Sequence, residues 1–559
     1  MGDEGDWRGT GGVPSDWAVG ERPPDPDWLR GEHKLVRRVL WGRGLRREGA
    51  ARDWLAARGP EPAPWPALDA SAARVLRAAD AGETVAIYGD YDADGLCATA
   101  VLLLALEVAG ARAIWHIPQR VQGHGLRAAD LGRLRAAGAS LAVSCDCGAG
   151  DGEAILAAAA LGLEVVVTDH HPQDGPSPRA VVANSADLPP GHPYARLGGA
   201  GVAWLLARAV LRGRGRGADA TGLLDLVALG LVADVAPQTE TARAMLALGL
   251  PRLWGRPRPG VAALLARAGR AGRGTDTAPI SFTLGPALNA AGRMGDSTLG
   301  LRLLLARDPA GAVAIAKAVW DLNLERRAGM AALEGEVWRA AELAGPGPGA
   351  LVLAGEGWPP AILGPLAGQV AERTGRAAVL LSLSERGMQG SGRAPAGVDL
   401  LGAIRAQAAL LESYGGHAQA AGLRGLRADL GAFREGFARA IGTQSRPPGR
   451  VAVDALVPWD RIAGRGAELC RALAPLAPHT ADFPPAVLGS AGVTIRGRRR
   501  LGKDGARLEL EAGGAREHAV WWRAGEAKAG PAPRAVAVTA AMDLWEGRER
   551  PQLTVTDLR

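Results

Sequence analysis

Short apolar stretches alternate with helix-forming stretches over residues 85–231, and this alternation limits the possible folds of the chain more than any other feature. Strands are predicted at Val85–Tyr88, Ala113–Ile117, Leu141–Ser144, Val165–Thr168 and Ala180–Val182. Helices are predicted at Gly95–Ala109, Arg127–Ala137, Gly152–Leu161, Gly201–Leu211 and Leu223–Leu231. Nearly continuous apolar strands separated by helices are typical of a parallel sheet with helices on both faces.

Four short clusters of acidic residues and histidines follow apolar stretches that are typical of buried strands. The clusters are Asp90, Asp92 and Asp94; Asp146; Asp169, His170 and His171; and Asp234. Polar residues at the ends of neighbouring parallel strands can converge on one crevice. Carboxylates mixed with imidazoles suit Mn²⁺ or Mg²⁺, and crowded carboxylates repel unless cations lie between them. The clusters therefore predict a pair of metal ions that hydrolyses phosphate esters.

Each cluster also has a purely structural interpretation. The acidic turn at residues 90–94 could cap a helix N-terminus, and Asp146 or Asp234 could do the same. An EF-hand is excluded, because no Glu follows at the twelfth loop position. A single histidine is more often structural, but an adjacent pair in a chain with nine histidines favours function.

Composition and charge place the chain among globular proteins with a polyanionic partner. With 559 residues the chain is long enough for about three domains. Its net charge of +7 and pI of about 9.6 favour a partner such as nucleic acid. The first residues lack the apolar core of a signal peptide, and no stretch of about 18 apolar residues could span a membrane. A cytoplasmic protein is therefore expected.

Shifts in composition divide the chain into five parts. The predicted parts are a flexible N-terminus at 1–30, a first domain with an N-terminal helical extension at 31–298, connector helices at 299–344, a second α/β domain at 345–445 and a C-terminal domain at 446–559. The Gly-Pro repeat at residues 345–349 marks a boundary. Strands predicted in the last part are Gly492–Arg496, Ala506–Glu511, His518–Trp522 and Ala535–Ala541. Their spacing is typical of a small antiparallel barrel.

The four clusters together resemble the DHH phosphoesterase superfamily, which is named for its Asp-His-His motif. Residues 89–95, Gly-Asp-Tyr-Asp-Ala-Asp-Gly, are close to the first motif of its RecJ family, the single-strand-specific 5′→3′ DNA exonucleases. Other segments similar to RecJ sequences are Gly199–Ala203, Leu229–Asp234, Leu284–Arg293 and Leu322-Asn323 with Glu325–Arg327. The resemblance implies a metal-dependent exonuclease that releases 5′-mononucleotides from single-stranded DNA in repair and recombination.

The resemblance also implies a role for each clustered residue. The residues it assigns to one divalent metal ion, Mn²⁺ or Mg²⁺, are Asp94, Asp146, His170 and Asp234. The residues it assigns to the second metal ion are Asp90, Asp92 and Asp146, which makes Asp146 the bridge. His171 is then the candidate for contacting the scissile phosphate, and Asp169 the candidate for orienting the histidines.

Residues 345–445 resemble the DHH-associated domain through Gly390–Arg393 and Tyr414–His417. Glycines let backbone N–H groups approach a phosphate, and arginine supplies a bidentate fork. The residues that the resemblance assigns to substrate are Arg120, Asn289, Arg293, Ser391, Arg393 and His417. Among them, Arg120, Ser391 and Arg393 are expected to hold a 5′-terminal phosphate. For Gly-Ser-Gly alone, a tight turn is the structural alternative.

The last part of the chain resembles the oligonucleotide-binding (OB) barrel of RecJ proteins. Arg498, Arg499 and Arg500 lie at a predicted hairpin, and Trp521 and Trp522 follow downstream. Arginine suits phosphates and tryptophan suits base stacking, although a solvated basic hairpin is the alternative. The partners that the resemblance implies are single-stranded DNA with a 5′ end, a single-strand DNA-binding protein and a RecQ-type helicase, with no membrane partner.

Two other functions stay open at the level of the sequence. One is a phosphodiesterase of the same superfamily that acts on very short RNA or cyclic dinucleotides, and the other is a non-catalytic DNA-binding relative that serves as a replication scaffold. Two departures from the family also stand out. Tyr88 occupies a position where some relatives carry a metal-binding histidine, and residues 477–485 lack the glycines and Asn that mark entry to the RecJ barrel.

Overall fold

The computed structural model describes residues 13–58, 63–172, 180–345, 349–444, 450–502, 505–522, 530–545 and 548–559. Two α/β domains are joined by a long helix and followed by a β-barrel. The predicted fold class is therefore confirmed: a parallel-sheet domain, a connector helix, a second α/β domain and a C-terminal OB-like barrel. No described helix combines the length and the apolar character needed to cross a bilayer.

The N-terminal segment packs against the far end of the chain. Its elements are strand β1 (Trp17–Val19) and helices α1 (Lys34–Gly42) and α2 (Glu48–Ala56). Strand β1 pairs in parallel with residues 451–453, and the indole N–H of Trp17 donates to Asp557 at 2.7 Å. The flexible N-terminus expected over residues 1–30 is thus wrong for residues 13–30, because Trp17 and Trp28 are buried there. Residues 1–12 lie outside the described residues.

Helices α1 and α2 share an apolar core with the barrel and not with the first α/β domain. Leu35, Val39 and Trp54 are buried in the same cluster as the barrel residues Leu488 and Val536. The expectation that the N-terminal helical extension belongs to the first domain therefore fails for these two helices. An amphipathic pattern indicates that one helix face is covered, but it does not indicate which partner covers it.

The first α/β domain is built on five parallel strands in the order β3-β2-β4-β5-β6. Its strands are β2 (Thr84–Gly89), β3 (Arg112–His116), β4 (Ala139–Cys145), β5 (Glu164–Asp169) and β6 (Ala180–Asn184). The helices that begin the domain and alternate with its strands are α3 (Pro66–Asp80), α4 (Ala93–Val108), α5 (Ala128–Ala136) and α6 (Gly152–Ala160). Residues 165–167, three valines, are buried on both faces of the sheet, as a central parallel strand requires.

A helical layer completes the first domain. Its helices are α7 (Gly199–Gly213), α8 (Leu224–Ala233), α9 (Glu240–Gly255), α10 (Pro259–Ala268), α11 (Gly285–Met294) and α12 (Thr298–Leu305). Helix α4 contacts both α7 and α8, and it is therefore buried nearly all round. The helices predicted at Gly201–Leu211 and Leu223–Leu231 are confirmed as α7 and α8.

The connector is a single helix, α13 (Pro309–Leu343), of 35 residues. At the α-helical rise it is about 52 Å long. Its N-terminal half packs on α10 and α11, and its C-terminal half packs on α14 and β7 of the second domain. It thus holds the two α/β domains together.

The second α/β domain contains a five-stranded mixed sheet in the order β10-β11-β9-β8-β7. Its strands are β7 (Leu351–Glu356), β8 (Ala378–Leu383), β9 (Gly387–Arg393), β10 (Leu411–His417) and β11 (Ala420–Leu426). Its helices are α14 (Pro360–Thr374), α15 (Leu400–Arg405) and α16 (Leu430–Gly442). Strands β7 and β8 pair in parallel, and β9, β10 and β11 add antiparallel pairs.

The C-terminal domain closes into a five-stranded barrel, because β14 pairs with both β15 and β17. Its elements are β12 (Val451–Val453), β13 (Ala455–Leu456), α17 (Gly466–Leu473), β14 (Leu488–Leu501), β15 (Gly505–Ala512), β16 (Ala515–Trp521), β17 (Gly530–Trp545) and β18 (Arg548–Leu558). The four strands predicted in this part are confirmed as parts of β14 to β17. Most pairs are antiparallel, but β13 with β14 and β16 with β18 run parallel.

Candidate active site

Three of the predicted clusters follow directly after the carboxyl ends of neighbouring strands. Strand β2 ends before Asp90, β4 ends before Asp146, and β5 ends at Asp169, just before His170. These three strands are adjacent in the order β2-β4-β5. The clusters therefore lie side by side at one edge of the sheet, as the parallel topology requires.

Asp234 reaches the same place from the end of a helix. It is the residue that follows α8. The helix predicted at Leu223–Leu231 is thus correct and the buried strand expected before Asp234 is wrong, because the apolar residues of this stretch are buried on all sides of a helix. A short apolar run has no periodicity that separates a buried helix from a buried strand.

The six predicted metal ligands come together, and we call them the metal centre. The ligands are Asp90, Asp92, Asp94, Asp146, His170 and Asp234. The groups whose ligand atoms all lie within 4.8 Å of one another are Asp94 with His170 and Asp234, Asp90 with Asp92 and Asp146, and Asp146 with His170 and His171. Asp146 belongs to two of the groups, and His170 Nε2 lies 3.0 Å from Asp146 Oδ1 and 3.8 Å from Asp234 Oδ2.

The carboxylates of the metal centre repel one another strongly. Burial, together with the charges of the neighbouring aspartates, raises the pKa of Asp146 well above its usual range. The same two causes raise the pKa of Asp94 to about 7 and that of Asp234 to about 9. Burial lowers the pKa of His170 to about 3, so its imidazole is neutral and can act as a ligand. A cluster of this kind is favourable only when cations share the carboxylates.

The residues present fit divalent cations. Asp90 Oδ1, Asp94 Oδ2 and Asp146 Oδ1 are buried without a hydrogen bond, although histidine nitrogens approach the first and third at 3.2 and 3.0 Å. Buried carboxylate oxygens normally have a partner, and hard oxygen donors with an imidazole are the donor set of Mn²⁺ and Mg²⁺.

Glycines give the carboxylates their space. A methyl group at Gly199, the first residue of α7, would overlap the carboxylate of Asp146. A methyl group at Gly230 in α8 would overlap the carboxylate of Asp94. The backbone N–H of Ala200 also donates to Asp94 at 3.2 Å. The backbones of α7 and α8 therefore lie close to the carboxylates of the metal centre.

Two aspartates have backbone roles in addition to their place in the metal centre. Asp92 is the N-cap of α4, and its Oδ1 accepts from the N–H groups of Asp94 and Gly95 at 3.0 and 3.1 Å. The capping interpretation of the acidic turn is thus correct for Asp92. Asp146 has φ of 65°, in the left-handed region that non-glycine residues rarely adopt. Such strain is typical of functional positions.

Asp169 stands where it can orient both histidines. Its Oδ1 accepts from the backbone N–H groups of His170 and His171 at 2.7 and 3.2 Å, and it lies 2.8 Å from His171 Nδ1. Its Oδ2 accepts from the N–H of Ala149 at 3.0 Å. Burial opposes ionisation, but these hydrogen bonds outweigh it and hold the pKa of Asp169 at about 2.

His124 is a site residue that the sequence reasoning missed. Its Nδ1 lies 3.2 Å from Asp90 Oδ1, and its ring centroid lies 4.6 Å from that of His171. Burial lowers the pKa of His124, but the adjacent Asp90 carboxylate outweighs it and raises the value to about 9. A signal was present, because His124 lies in the loop after β3, at the same edge of the sheet.

Arginines from both α/β domains form a second cluster beside the metal centre, the arginine pocket. Its residues are Arg120, Arg293, Ser391 and Arg393. The guanidinium of Arg120 lies 4.8 Å from the ring of Tyr91, between Asp90 and Asp92. Burial and the charges of Arg120, Arg393 and Arg326 lower the pKa of Arg293 to about 9. Arginines that repel one another in a partly buried pocket are favourable when an anion binds among them.

The remaining predicted substrate residues have different surroundings. The side-chain oxygen of Asn289 accepts from the N–H of Ala93 at 2.8 Å, so this residue supports the loop of the metal centre. His417, on β10 of the second domain, stacks on His171 with ring centroids 5.1 Å apart and planes at 22°. Arg293 donates to the carbonyl of Ala361 at 3.2 Å, which joins the two domains at the pocket.

The three barrel arginines lie apart from these clusters. Arg498, Arg499 and Arg500 are exposed on β14, just before its turn into β15. Within the described part of the chain, no hydrogen bond or ion pair joins them to the metal centre or the arginine pocket. Their placement is that of a peripheral basic surface.

Comparisons with known proteins cover all three domains. Residues 84–231 match the DHH family N-terminal domain, residues 347–442 match the DHHA1 domain, and residues 453–557 match the RecJ OB domain. The single-stranded-DNA-specific exonuclease RecJ of Thermus thermophilus is 31% identical over 97% of this chain and 78% of its own length. The chain belongs to the RecJ family.

Other members of the family agree with this assignment. RecJ of Dickeya dadantii is 35% identical over 66% of this chain and 69% of its own length. RecJ of Bacillus subtilis is 32% identical over 70% of this chain, and the match spans 50% of the Bacillus protein. The prediction of a single-stranded-DNA-specific exonuclease family is confirmed.

A solved relative supports both the fold and the cofactor class. The crystal structure of RecJ from Thermus thermophilus in complex with Mn²⁺ matches with a TM-score of 0.83 at 28% identity, over 97% of this chain and 79% of that one. The same protein in complex with Mg²⁺ matches with a TM-score of 0.77. The predicted class of cofactor, Mn²⁺ or Mg²⁺, is thus confirmed for the family.

Proposed function

We propose that this protein hydrolyses single-stranded DNA from the 5′ end, releases 5′-mononucleotides and uses two divalent metal ions. The observation that carries the proposal is the overlap of the metal-ligating groups, in which Asp146 belongs to one group with Asp90 and Asp92 and to another with His170 and His171. Phosphodiester hydrolysis is the reaction for which a shared carboxylate between two metal ions is suited.

The ligands divide between two ions. The residues proposed for the first ion are Asp94, Asp146, His170 and Asp234. Those proposed for the second are Asp90, Asp92 and Asp146. When bound, the two ions supply the activated water and the positive charge that hydrolysis of a phosphodiester requires. Mn²⁺ and Mg²⁺ both suit this donor set.

The histidine motif positions the scissile phosphate. His171 is held by Asp169 and stacks on His417, so its ring has a fixed orientation at the edge of the metal centre. We assign His171 to the scissile phosphate and Asp169 to the orientation of the imidazoles. Since Asp169 carries a full negative charge at neutral pH, it also favours a proton on His171 Nδ1.

The arginine pocket accounts for hydrolysis from the 5′ end of the strand. Arg120 and Arg393, with Ser391 and Arg293, provide donors for a terminal 5′-phosphate next to the metal centre. Gly364 packs against Arg393 and Ser391 without a side chain, which leaves their polar groups room to receive an anion. A strand whose 5′-phosphate occupies this pocket places its first phosphodiester linkage at the metal centre.

The barrel extends the binding surface for the rest of the strand. Arg498, Arg499 and Arg500 would contact phosphates without reading the sequence.

Family membership further leads us to propose a cytoplasmic protein that acts in DNA repair and recombination, with a single-strand DNA-binding protein and a RecQ-type helicase as partners. The boundaries at residues 298, 344 and 445 stay predictions.

Incubation with Mn²⁺ tests the proposal directly. The substrate is single-stranded DNA with a 5′-phosphate and a 3′ label, and the matching blunt duplex and RNA are run beside it. We expect progressive shortening of the single-stranded DNA alone, with the label retained on ever smaller products. Cleavage that removes the label first, or equal cleavage of the duplex, would contradict the proposed polarity or strand preference.

A further inference from the structure

One of the four phenylalanines of the chain lies on the surface. Phe433 and Phe437 are 0% exposed and Phe483 is 8% exposed, whereas Phe282 is 75% exposed. Burial of a phenyl ring is among the larger hydrophobic gains of a fold. An aromatic ring left in water is therefore a candidate for contact with a ligand.

Phe282 is held rigidly with respect to the metal centre. It lies in a π-helix, Ile280–Leu284, whose two end residues are buried, and which continues into α11. In α11, Asn289 accepts the hydrogen bond from Ala93 in the loop of the metal centre. A π-helical turn is rare and is frequently found at functional sites.

An exposed, strained valine lies just after the end of α8, on a segment that contacts the π-helix of Phe282. Val235 follows the metal ligand Asp234, is 58% exposed and has φ of 59°. The left-handed region is a genuine outlier for a β-branched residue, and such strain persists where the surroundings impose it. A methyl group at Gly285 would lie 3.1 Å from the Ala233 side chain, so the segments that carry Val235 and Phe282 meet there.

Both segments also bind the stretch of chain that leads into the barrel. Gln238, three residues after Val235, donates from Nε2 to the carbonyl of Pro478 at 2.9 Å. Thr277, five residues before Phe282, donates from its hydroxyl to the carbonyl of His479 at 2.7 Å. The segments that carry Val235 and Phe282 therefore connect the metal centre with the stretch that leads into the barrel.

We propose that Phe282, with Val235 beside it, forms a stacking step for a nucleobase of the bound single strand. The proposal rests on the proposed function, in which the arginine pocket holds the 5′-phosphate and the strand continues toward the barrel. The base on the step then lies on the 3′ side of the scissile phosphate. Stacking on a phenyl ring accepts any base, as an exonuclease without sequence preference requires.

A binding experiment with abasic sites tests the step independently of cleavage. Oligonucleotides with a 5′-phosphate and a 3′ fluorophore carry one abasic site at each of several successive positions from the 5′ end. Their affinity for the protein is measured by fluorescence anisotropy in EDTA. For the wild-type protein, we expect one position at which loss of the base weakens binding about tenfold.

Variants at residue 282 separate stacking from simple apolar contact. In Phe282→Ala the sensitivity to that position should vanish, and the intact strand should bind about tenfold more weakly. Phe282→Tyr should keep the sensitivity, and Phe282→Leu should lose most of it. Val313→Ala, which truncates a 61% exposed valine on the connector helix, is the matched control and should bind as the wild type does.

The outcomes separate this inference from the proposed function. A scan without any sensitive position, or the same sensitivity in Phe282→Ala and in the wild type, would overturn the stacking step. Cleavage of single-stranded DNA by the wild-type protein in Mn²⁺ is measured separately. Its absence would contradict the proposed exonuclease, while the binding scan would still decide whether Phe282 stacks on a base.

Discussion

The metal centre and the arginine pocket are neighbours, but they carry unbalanced charge of opposite sign and are built in opposite ways. The metal centre comes entirely from the first α/β domain, where strand ends and glycine-lined helices fix the carboxylates. The arginine pocket takes Arg120 and Arg293 from the first domain and Ser391 and Arg393 from the second. Under the proposed function, the chemistry thus belongs to one domain, whereas the choice of bond to cleave depends on how the two domains meet.

The largest expected effect comes from removal of the shared ligand of the metal centre. Asp146→Ala should lower kcat about a thousandfold or more, because both ions lose a carboxylate. Affinity for single-stranded DNA should change little, since the arginine pocket and the barrel are intact. Gel assays of hydrolysis and anisotropy measurements of binding check both parts, with Asp460→Ala, at an exposed position, as the control. Turnover within tenfold of the wild type would rule out the bridging role.

Removal of an arginine from the pocket should weaken the preference for a 5′-phosphate more than it slows the hydrolysis itself. For Arg393→Ala we expect kcat/KM to fall about 10- to 100-fold on a strand with a 5′-phosphate, because charge-assisted hydrogen bonds are lost. A strand with a 5′-hydroxyl should be affected far less. Arg439→Ala, on the exposed face of α16, is the control in the same domain. An equal loss on both strands would show that Arg393 does not recognise the phosphate.

A single methyl group should weaken the metal centre without removing a ligand. Gly199→Ala should displace the Asp146 carboxylate and lower Mn²⁺ affinity about tenfold, in the range known for changes around metal ligands. Titration of activity with Mn²⁺ measures the shift. The matched control is Gly335→Ala, because among the described residues no atom outside the local helical backbone lies within 4 Å of a methyl group at that position. Equal Mn²⁺ affinity in both variants would contradict the close approach of α7.

The smallest effect is expected on the barrel. Arg499→Ala should weaken binding of long single strands a few-fold and reduce the slope of log affinity against log salt by about one. Binding isotherms over a series of salt concentrations give the slope. Arg471→Ala, on α17 of the same domain, serves as the control. An unchanged slope would place the strand on another face of the barrel.

A site residue could be predicted when the strand that positions it lies beside it in the sequence. Asp90, Asp146 and His170 stand beside the strands that position them, so topology alone brought them together. His124 lies between two glycines in the loop after β3; its position in that loop was a weak signal, and its contact with Asp90 shows that it belongs to the site. At the level of the sequence, the apolar stretch before Asp234 fits both a helix and a buried strand, because a fully buried segment has no amphipathic period of either kind.

The helices and strands that form each layer of the fold were predictable, but the surfaces that pack against them were not. Alternation of strands and helices indicated both α/β domains, and the spacing of short strands indicated the barrel. The helices at residues 34–56 were assigned to the nearest domain in sequence, although the barrel covers them. A pattern of apolar residues gives the face that is buried, whereas the covering surface depends on distant parts of the chain.

The pairing of the N-terminal segment with the barrel also has a consequence for synthesis on the ribosome. Trp17 and its partner Asp557 are separated by 540 positions, so the partner is made only after both α/β domains have emerged. Until then the apolar faces of α1 and α2 lack their cover and are available to chaperones. Helices α1 and α2, which are translated before both α/β domains, are therefore among the last elements to reach their native packing.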